Sequence, residues 1–190
     1  MEYIEYLRAH KDCTQKDLDY VKSTNIFKIE NSCDENDKKI RNMIRQVQGE
    51  IHRMHAFIRL EQSNNILHAY AKFEHDIGLE VAKKLARRTP DMIIILGDEN
   101  RGYKAIYTNS KYYAQKLADY KTTLKNFGIE KTESQIKKLW ENYYWSQYAK
   151  SRTNLKLFRK HVPKKIFENT ECELSRCESE ICRAKQTKLF

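Results

Sequence analysis

Two periodicities meet near residue 54. Ile40, Met43, Ile44, Val47, Ile51 and Met54 recur at three- and four-residue intervals, which puts them on one stripe of an α-helix over residues 37–54. Asp34, Glu35 and Asp37 precede or open it, as suits a helix N-terminus. Arg41, Arg45, Gln48 and His52 form a second stripe beside the apolar one, either a solvated face or a basic ridge for an anion. After Met54 the period becomes two. Ala56, Ile58 and Leu60 alternate with His55, Phe57, Arg59 and Glu61, and beyond the Gln62–Asn65 turn Leu67, Ala69, Ala71 and Phe73 alternate with Ile66, His68, Tyr70 and Lys72. A hairpin with Glu61 opposite Ile66 would pair Arg59 with His68, Phe57 with Tyr70 and His55 with Lys72, and would match apolar residues on its other face.

The rest of the chain reads as alternating helices and strands. Tyr3, Ile4, Tyr6 and Leu7 predict a short helix, and Thr14 caps a second over residues 15–22. Ile26, Phe27 and Ile29 read as packing anchors in a connection. Asp76 is placed to cap a helix over residues 77–88 that Thr89-Pro90 ends. The run Met92–Leu96 predicts a strand buried on both faces, with a turn over 97–102 and a partner strand over 103–108. Ser110 is placed to cap a helix bearing Tyr113, Leu117, Tyr120, Leu124 and Phe127, with Gly128 after its end. Thr132 opens another, with Ile136, Leu139, Trp140, Tyr143 and Tyr144 inward and Trp145 and Tyr148 off that face. The expected fold is α+β: a small antiparallel sheet of about four strands, packed by helices from both ends of the chain. Residues 1–171 make one domain and 172–190 a flexible cysteine-containing tail.

Composition sharpens the functional question. Of the 190 residues, 36 are Lys or Arg and 26 Asp or Glu, for a net charge of +10. That balance favours a polyanionic partner, DNA or RNA before an acidic protein. The candidate contacts are Arg53, Arg59, Lys72, Arg87, Arg88 and Arg101, the run Arg152, Lys156, Arg159, Lys164 and Lys165, and the rings of Phe57 and Tyr70 for base stacking. Each has an ordinary structural reading too: Arg87 and Arg88 complement a helix C-terminus, and the charge runs make solvated faces.

Catalytic signatures are thin. The chain has no Gly-rich nucleotide cradle and no nucleophile elbow. Glu50, His52 and Arg53 are the acid–base candidates for a nuclease or glycosylase-like activity. Asp98, Glu99 and Arg101 crowd a turn that turn chemistry explains as well as a site would. Cys172, Cys177 and Cys182 repeat at spacing five, which is not the pairing of a structural zinc site, and no metal or cofactor is expected. With no long apolar window and no apolar stretch in its first residues, the chain is expected to be cytoplasmic, with no signal peptide and no contact with a membrane.

The segment Glu50-Ile51-His52-Arg53-Met54-His55-Ala56-Phe57-Ile58-Arg59 resembles the E-x-HRM-x-x-F-x-R signature of a bacterial and archaeal family of unknown function, commonly labelled "probable DNA metabolism protein". Ala86-Arg87-Arg88 with Pro90-Asp91, Asp98–Tyr103, and Leu139-Trp140 through Arg152 and Asn154 to Pro163-Lys164-Lys165 extend the resemblance to about residue 171. The chain departs from the family in appearing without its N-terminal portion and in carrying Lys84-Leu85 where the family tends to have His-Phe. Members are usually encoded beside a radical-SAM protein predicted to modify or repair DNA, and some are fused to a uracil-DNA-glycosylase-like domain. The resemblance therefore implies a DNA-binding accessory role in repair or base modification, beside such a partner enzyme. The alternatives are an enzyme centred on Glu50, His52 and Arg53, and a protein-interaction module without nucleic-acid contact.

Overall fold

The computed structural model describes residues 3–98 and 101–129 and isolated positions between 139 and 160. Arg152, Arg159, Lys164, Lys165, the aromatic residues Trp145 and Tyr148, and the three late cysteines lie outside the described residues.

Four helices come first: α1 (Tyr3–Ala9), α2 (Gln15–Ser23), α3 (Ile26–Asn31) and the 23-residue α4 (Glu35–Phe57). Thr14 caps α2 in a reciprocal box with Asp17. Asp17 is itself buried, with Lys39 of α4 at 2.7 Å. Leu7, Val21, Ile29, Ile40, Met43 and Ile44 make a helical core. Ile29 is fully buried in it, whereas Ile26 and Phe27 are exposed, so α3 supplies one anchor and not three.

The sheet follows: β1 (Glu61–Ser63), β2 (Ile66–Tyr70), β3 (Ile93–Gly97), β4 (Gly102–Thr108) and β5 (Lys111–Leu117), adjacent in chain order. The α+β class therefore stands, with five strands. The β2–β3 pairing is parallel and the other three are antiparallel. Helix α5 (Gly78–Arg88) makes the crossover between the parallel pair. One face of the sheet packs on the second half of α4 and on α5, through Val47, Ile51, Met54, Val81, Leu85, Leu67, Ile94, Leu96 and Ala105. The other packs on α6 (Tyr120–Asn126), whose Tyr120 covers Ile66 and Ile95.

Three further expectations change. First, the helical period does not stop at Met54. Val47, Ile51, Met54 and Ile58 are all buried, and α4 continues to Phe57, closed by the Ile58 N–H on the Met54 carbonyl at 2.9 Å. The short hairpin that follows pairs Glu61 with His68 and Ser63 with Ile66, so the proposed pairing of Phe57 with Tyr70 and of Arg59 with His68 does not form. Second, residues 111–117 are a strand. Asn109 and Ser110 both take left-handed backbone angles, φ 49° and 60°, and turn β4 straight into β5. The helix begins again only at Asp119, whose carboxylate accepts the Thr122 N–H. Third, Asp76 does not cap α5. Its carboxylate takes the Tyr103 hydroxyl at 3.4 Å and Lys116, and Ile77 stands at the helix start without a side-chain cap.

Candidate nucleic-acid interface

The chemically suggestive residues gather at opposite ends of the sheet. At the carboxyl end of β2 and β3 lies a buried polar node, in the place where open α/β sheets commonly seat ligands. Glu50 projects into it from α4 and is only 4% exposed. Its two oxygens accept the backbone N–H groups of Glu74 (2.7 Å) and His75 (3.1 Å). Burial pushes the Glu50 carboxyl above its ordinary value, and the two N–H donors oppose that rise. His75 stacks on His10, ring centres 4.4 Å apart. His75 Nδ1 accepts the Lys11 N–H at 3.4 Å and His10 Nδ1 the Asp12 N–H at 3.1 Å, which places the ring protons on the Nε2 atoms. His10 Nε2 then donates to Gln46 at 2.9 Å, and His75 Nε2 faces Glu50 Oε2 at 3.9 Å.

Arg101 fastens the turn after β3 to this node. Its guanidinium bonds Asp98 (2.6 Å) and donates to the Phe73 carbonyl (2.7 Å). Lys116 pairs with Asp76, and Lys11 with Glu74 at 2.8 Å. The node is thus internally matched: each charge meets an opposite one or backbone dipoles. The guanidinium of Arg101, a candidate phosphate contact by sequence, holds the turn after β3 to the loop after β2. His10 and His75, the residues that complete the node with Glu50, carry no motif in the sequence. Their proximity arises from the α1–α2 connection meeting the loop after β2.

The other end is different. The crossover helix α5 runs back along the sheet, so its C-terminal turn, with Arg87 and Arg88, lies near the amino ends of the parallel strands. The last turns of α4 pack beside α5. His52, Arg53, Lys84, Arg87, Arg88 and Arg59 are all exposed, and none of them forms an ion pair with a carboxylate among the described residues. His55 sits among them, half-buried, and its Nε2 is buried with no hydrogen-bond partner among those residues. Burial first, then Arg88, Lys84 and His52, holds its imidazole below the ordinary value. The permanent charges acting on it among the described residues, Arg88 and Lys84, are both positive, which identifies a local excess of positive charge.

The candidates therefore divide. His52, Lys84, Arg87 and Arg88 share the cationic end with Arg59, which reaches back to the Ala56 carbonyl at 3.0 Å. Arg53 lies a quarter-turn further round α4, leaning over Gly49. Lys72 is exposed at the opposite end, on the loop after β2. The rings proposed for stacking are elsewhere: Phe57 packs against the core and Tyr70 pairs with Tyr120 under α6, centres 6.3 Å apart. Arg41 of the expected basic ridge donates to the Ile29 and Ser32 carbonyls. Glu50 and His52 project from different sides of α4, one buried and one exposed. Lys156 is exposed. Among the described residues, no group of three or more His, Cys, Asp or Glu could hold a metal ion, and no helix is long and apolar enough to cross a membrane.

A family model described as a domain of unknown function, DUF4130, matches residues 15–171. No curated protein matches the chain, and no solved structure does. The match spans well over half of the sequence, and the chain belongs to that family.

Proposed function

Starting from membership of a family without an assigned activity, we propose that the protein binds nucleic acid through the cationic end of α4 and α5, as an accessory factor in DNA repair or base modification. The observation that carries this reading is the gathering of His52, Lys84 and Arg88 around His55, with Arg87 exposed on the same last turn of α5, and none of them in an ion pair with a carboxylate among the described residues. At the opposite end of the sheet Lys11 pairs with Glu74, Arg101 with Asp98 and Lys116 with Asp76, and in the helical layer Lys39 pairs with Asp17. Cations left without a carboxylate partner at one end of the sheet present a site for external anions.

The contacts would be to phosphates and not to bases. The two rings offered for stacking lie in the packing of the sheet, so this surface presents guanidinium, ammonium and imidazole groups. Binding should then depend weakly on sequence and steeply on salt. The resemblance to proteins encoded beside radical-SAM enzymes, or fused to uracil-DNA-glycosylase-like domains, supports a partner enzyme that supplies the chemistry. The enzymatic alternative centred on Glu50 has less support, because both of its oxygens already accept backbone N–H groups.

Fluorescence anisotropy with a labelled duplex across a salt series tests the reading. Each phosphate contact contributes about −0.9 to the slope of log K against log[salt]. The double variant Lys84→Ala/Arg88→Ala should weaken binding and flatten that slope by about two contacts. Absence of binding at about 50 mM salt, or a double variant indistinguishable from the parent, overturns the proposal.

A further inference from the structure

We propose that His55 takes up a proton when a phosphodiester backbone settles on the α4–α5 cationic end, so that this interface grips polyanions more tightly as pH falls. The inference rests on the nucleic-acid reading of this face and adds its regulation.

The geometry is specific to this histidine. His55 lies on the last turn of α4, half-buried, with Nε2 unpartnered among the described residues. Its charged surroundings come from both elements packed there: His52 on α4, and Lys84 and Arg88 one turn apart on α5. A carboxylate is missing from that set. In the free protein a proton on His55 would meet two permanent cations while partly removed from water, and the neutral ring is favoured.

A bound phosphodiester changes the sign of the local field. Phosphates drawn to Lys84 and Arg88 place negative charge against the cations that oppose protonation. The imidazolium then becomes one more positive group facing the polyanion. By linkage, a group that binds protons more tightly in the complex tightens the complex as pH falls through its bound-state pKa, and the gain levels off below its free-state pKa. Each unit by which binding raises that pKa is worth about tenfold in affinity at low pH.

His68 is an internal reference. It too is held below its ordinary value by burial, but it lies on the β1–β2 hairpin beside Ser63, and the charged neighbour acting on it is Glu61, which raises it. A duplex bound at the α4–α5 end should leave its titration in place.

The experiment follows both imidazoles by NMR between about pH 5 and 8, in the free protein and with a short duplex of mixed sequence, alongside anisotropy titrations over the same range. The expected result is an upward move of the His55 titration with His68 unmoved. The wild-type affinity should rise about three- to tenfold from the top of the range to the bottom. His55→Gln should lose most of that rise. A duplex that binds while the His55 titration stays put overturns the inference and leaves the nucleic-acid reading standing. A pH dependence that persists in His55→Gln and vanishes in His52→Gln also overturns it, assigning the proton to the exposed neighbour. No binding at any pH removes both.

Discussion

Glu50 and His75, twenty-five residues apart, are joined twice: the carboxylate accepts the His75 backbone N–H at 3.1 Å, and the imidazole Nε2 stands 3.9 Å from the same oxygen. The other oxygen takes the Glu74 N–H at 2.7 Å. One side chain on the long helix thereby fixes the loop after β2. Glu50→Ala would take the side-chain acceptor from two N–H donors, that of His75 buried and that of Glu74 partly so. We expect a loss of about 3 kcal/mol in unfolding free energy, measured by urea denaturation, since each unsatisfied buried donor costs about 1–3 kcal/mol. Glu50→Gln, which keeps one acceptor, should cost roughly half as much. If Glu50→Ala left stability unchanged, the carboxylate would not be holding this loop.

Gly78 begins α5 directly against the Tyr103 ring. A β-carbon there would overlap that ring, which is 1% exposed and held between α5 and the sheet. Gly78→Ala should therefore destabilise by about 3 kcal/mol through overpacking. Gly128→Ala, in open space with φ +66°, should cost about 1 kcal/mol from backbone strain alone. Thermal melts of the two variants side by side would show the difference, and equal shifts would refute the steric account.

Asp17 sets the acid limit of the helical layer. Burial alone would push its carboxyl up, but hydrogen bonds from Lys39 and Thr14 bring it down to about 2. A carboxyl with a lowered folded-state pKa contributes stability that is present above its unfolded value and lost as pH falls through the folded one. The shift is worth about 2 kcal/mol, lost between roughly pH 4 and pH 2. Asp17→Asn should flatten the stability profile over that interval and lower stability at neutral pH.

The turn from β4 to β5 carries a residue at odds with its backbone. Ser110 holds φ 60°, a conformation that favours glycine. Ser110→Gly would complete an Asn-Gly pair, the preferred sequence for such a hairpin turn. It should stabilise by about 0.5–1 kcal/mol, seen as a higher denaturation midpoint with an unchanged slope. A lower midpoint would show that the serine side chain contributes more than the strain costs.

Much of the framework was legible along the chain. The apolar stripe of α4, the Thr14 cap, the end of α5 at Thr89-Pro90 and the buried run of β3 follow from spacing and capping chemistry, which act within a few residues. The misreadings share a cause. His55 to Leu60 satisfied a two-residue period as well as a helical one, and burial of Met54 and Ile58 against the sheet selected the helix. Tyr113, Leu117 and Tyr120 satisfied a helical spacing, yet pairing with β4 made residues 111–117 a strand. Short apolar patterns are ambiguous until a partner surface chooses between them.

The candidate site divides in the same way. The net positive charge and the cations at the end of α5 were determined by the sequence alone, because charge and helix capping are local properties. Only the tertiary structure decided which cations are matched and which are not. Arg101 and Lys116 meet carboxylates brought from elsewhere in the chain or across a turn, whereas Lys84 and Arg88 act on His55 of α4. Likewise Glu50, His10 and His75 form one buried node only after three separate segments converge at the end of the sheet. Electrostatic matching depends on distances between side chains, and those distances are set by the packing of distant segments, which no local spacing encodes.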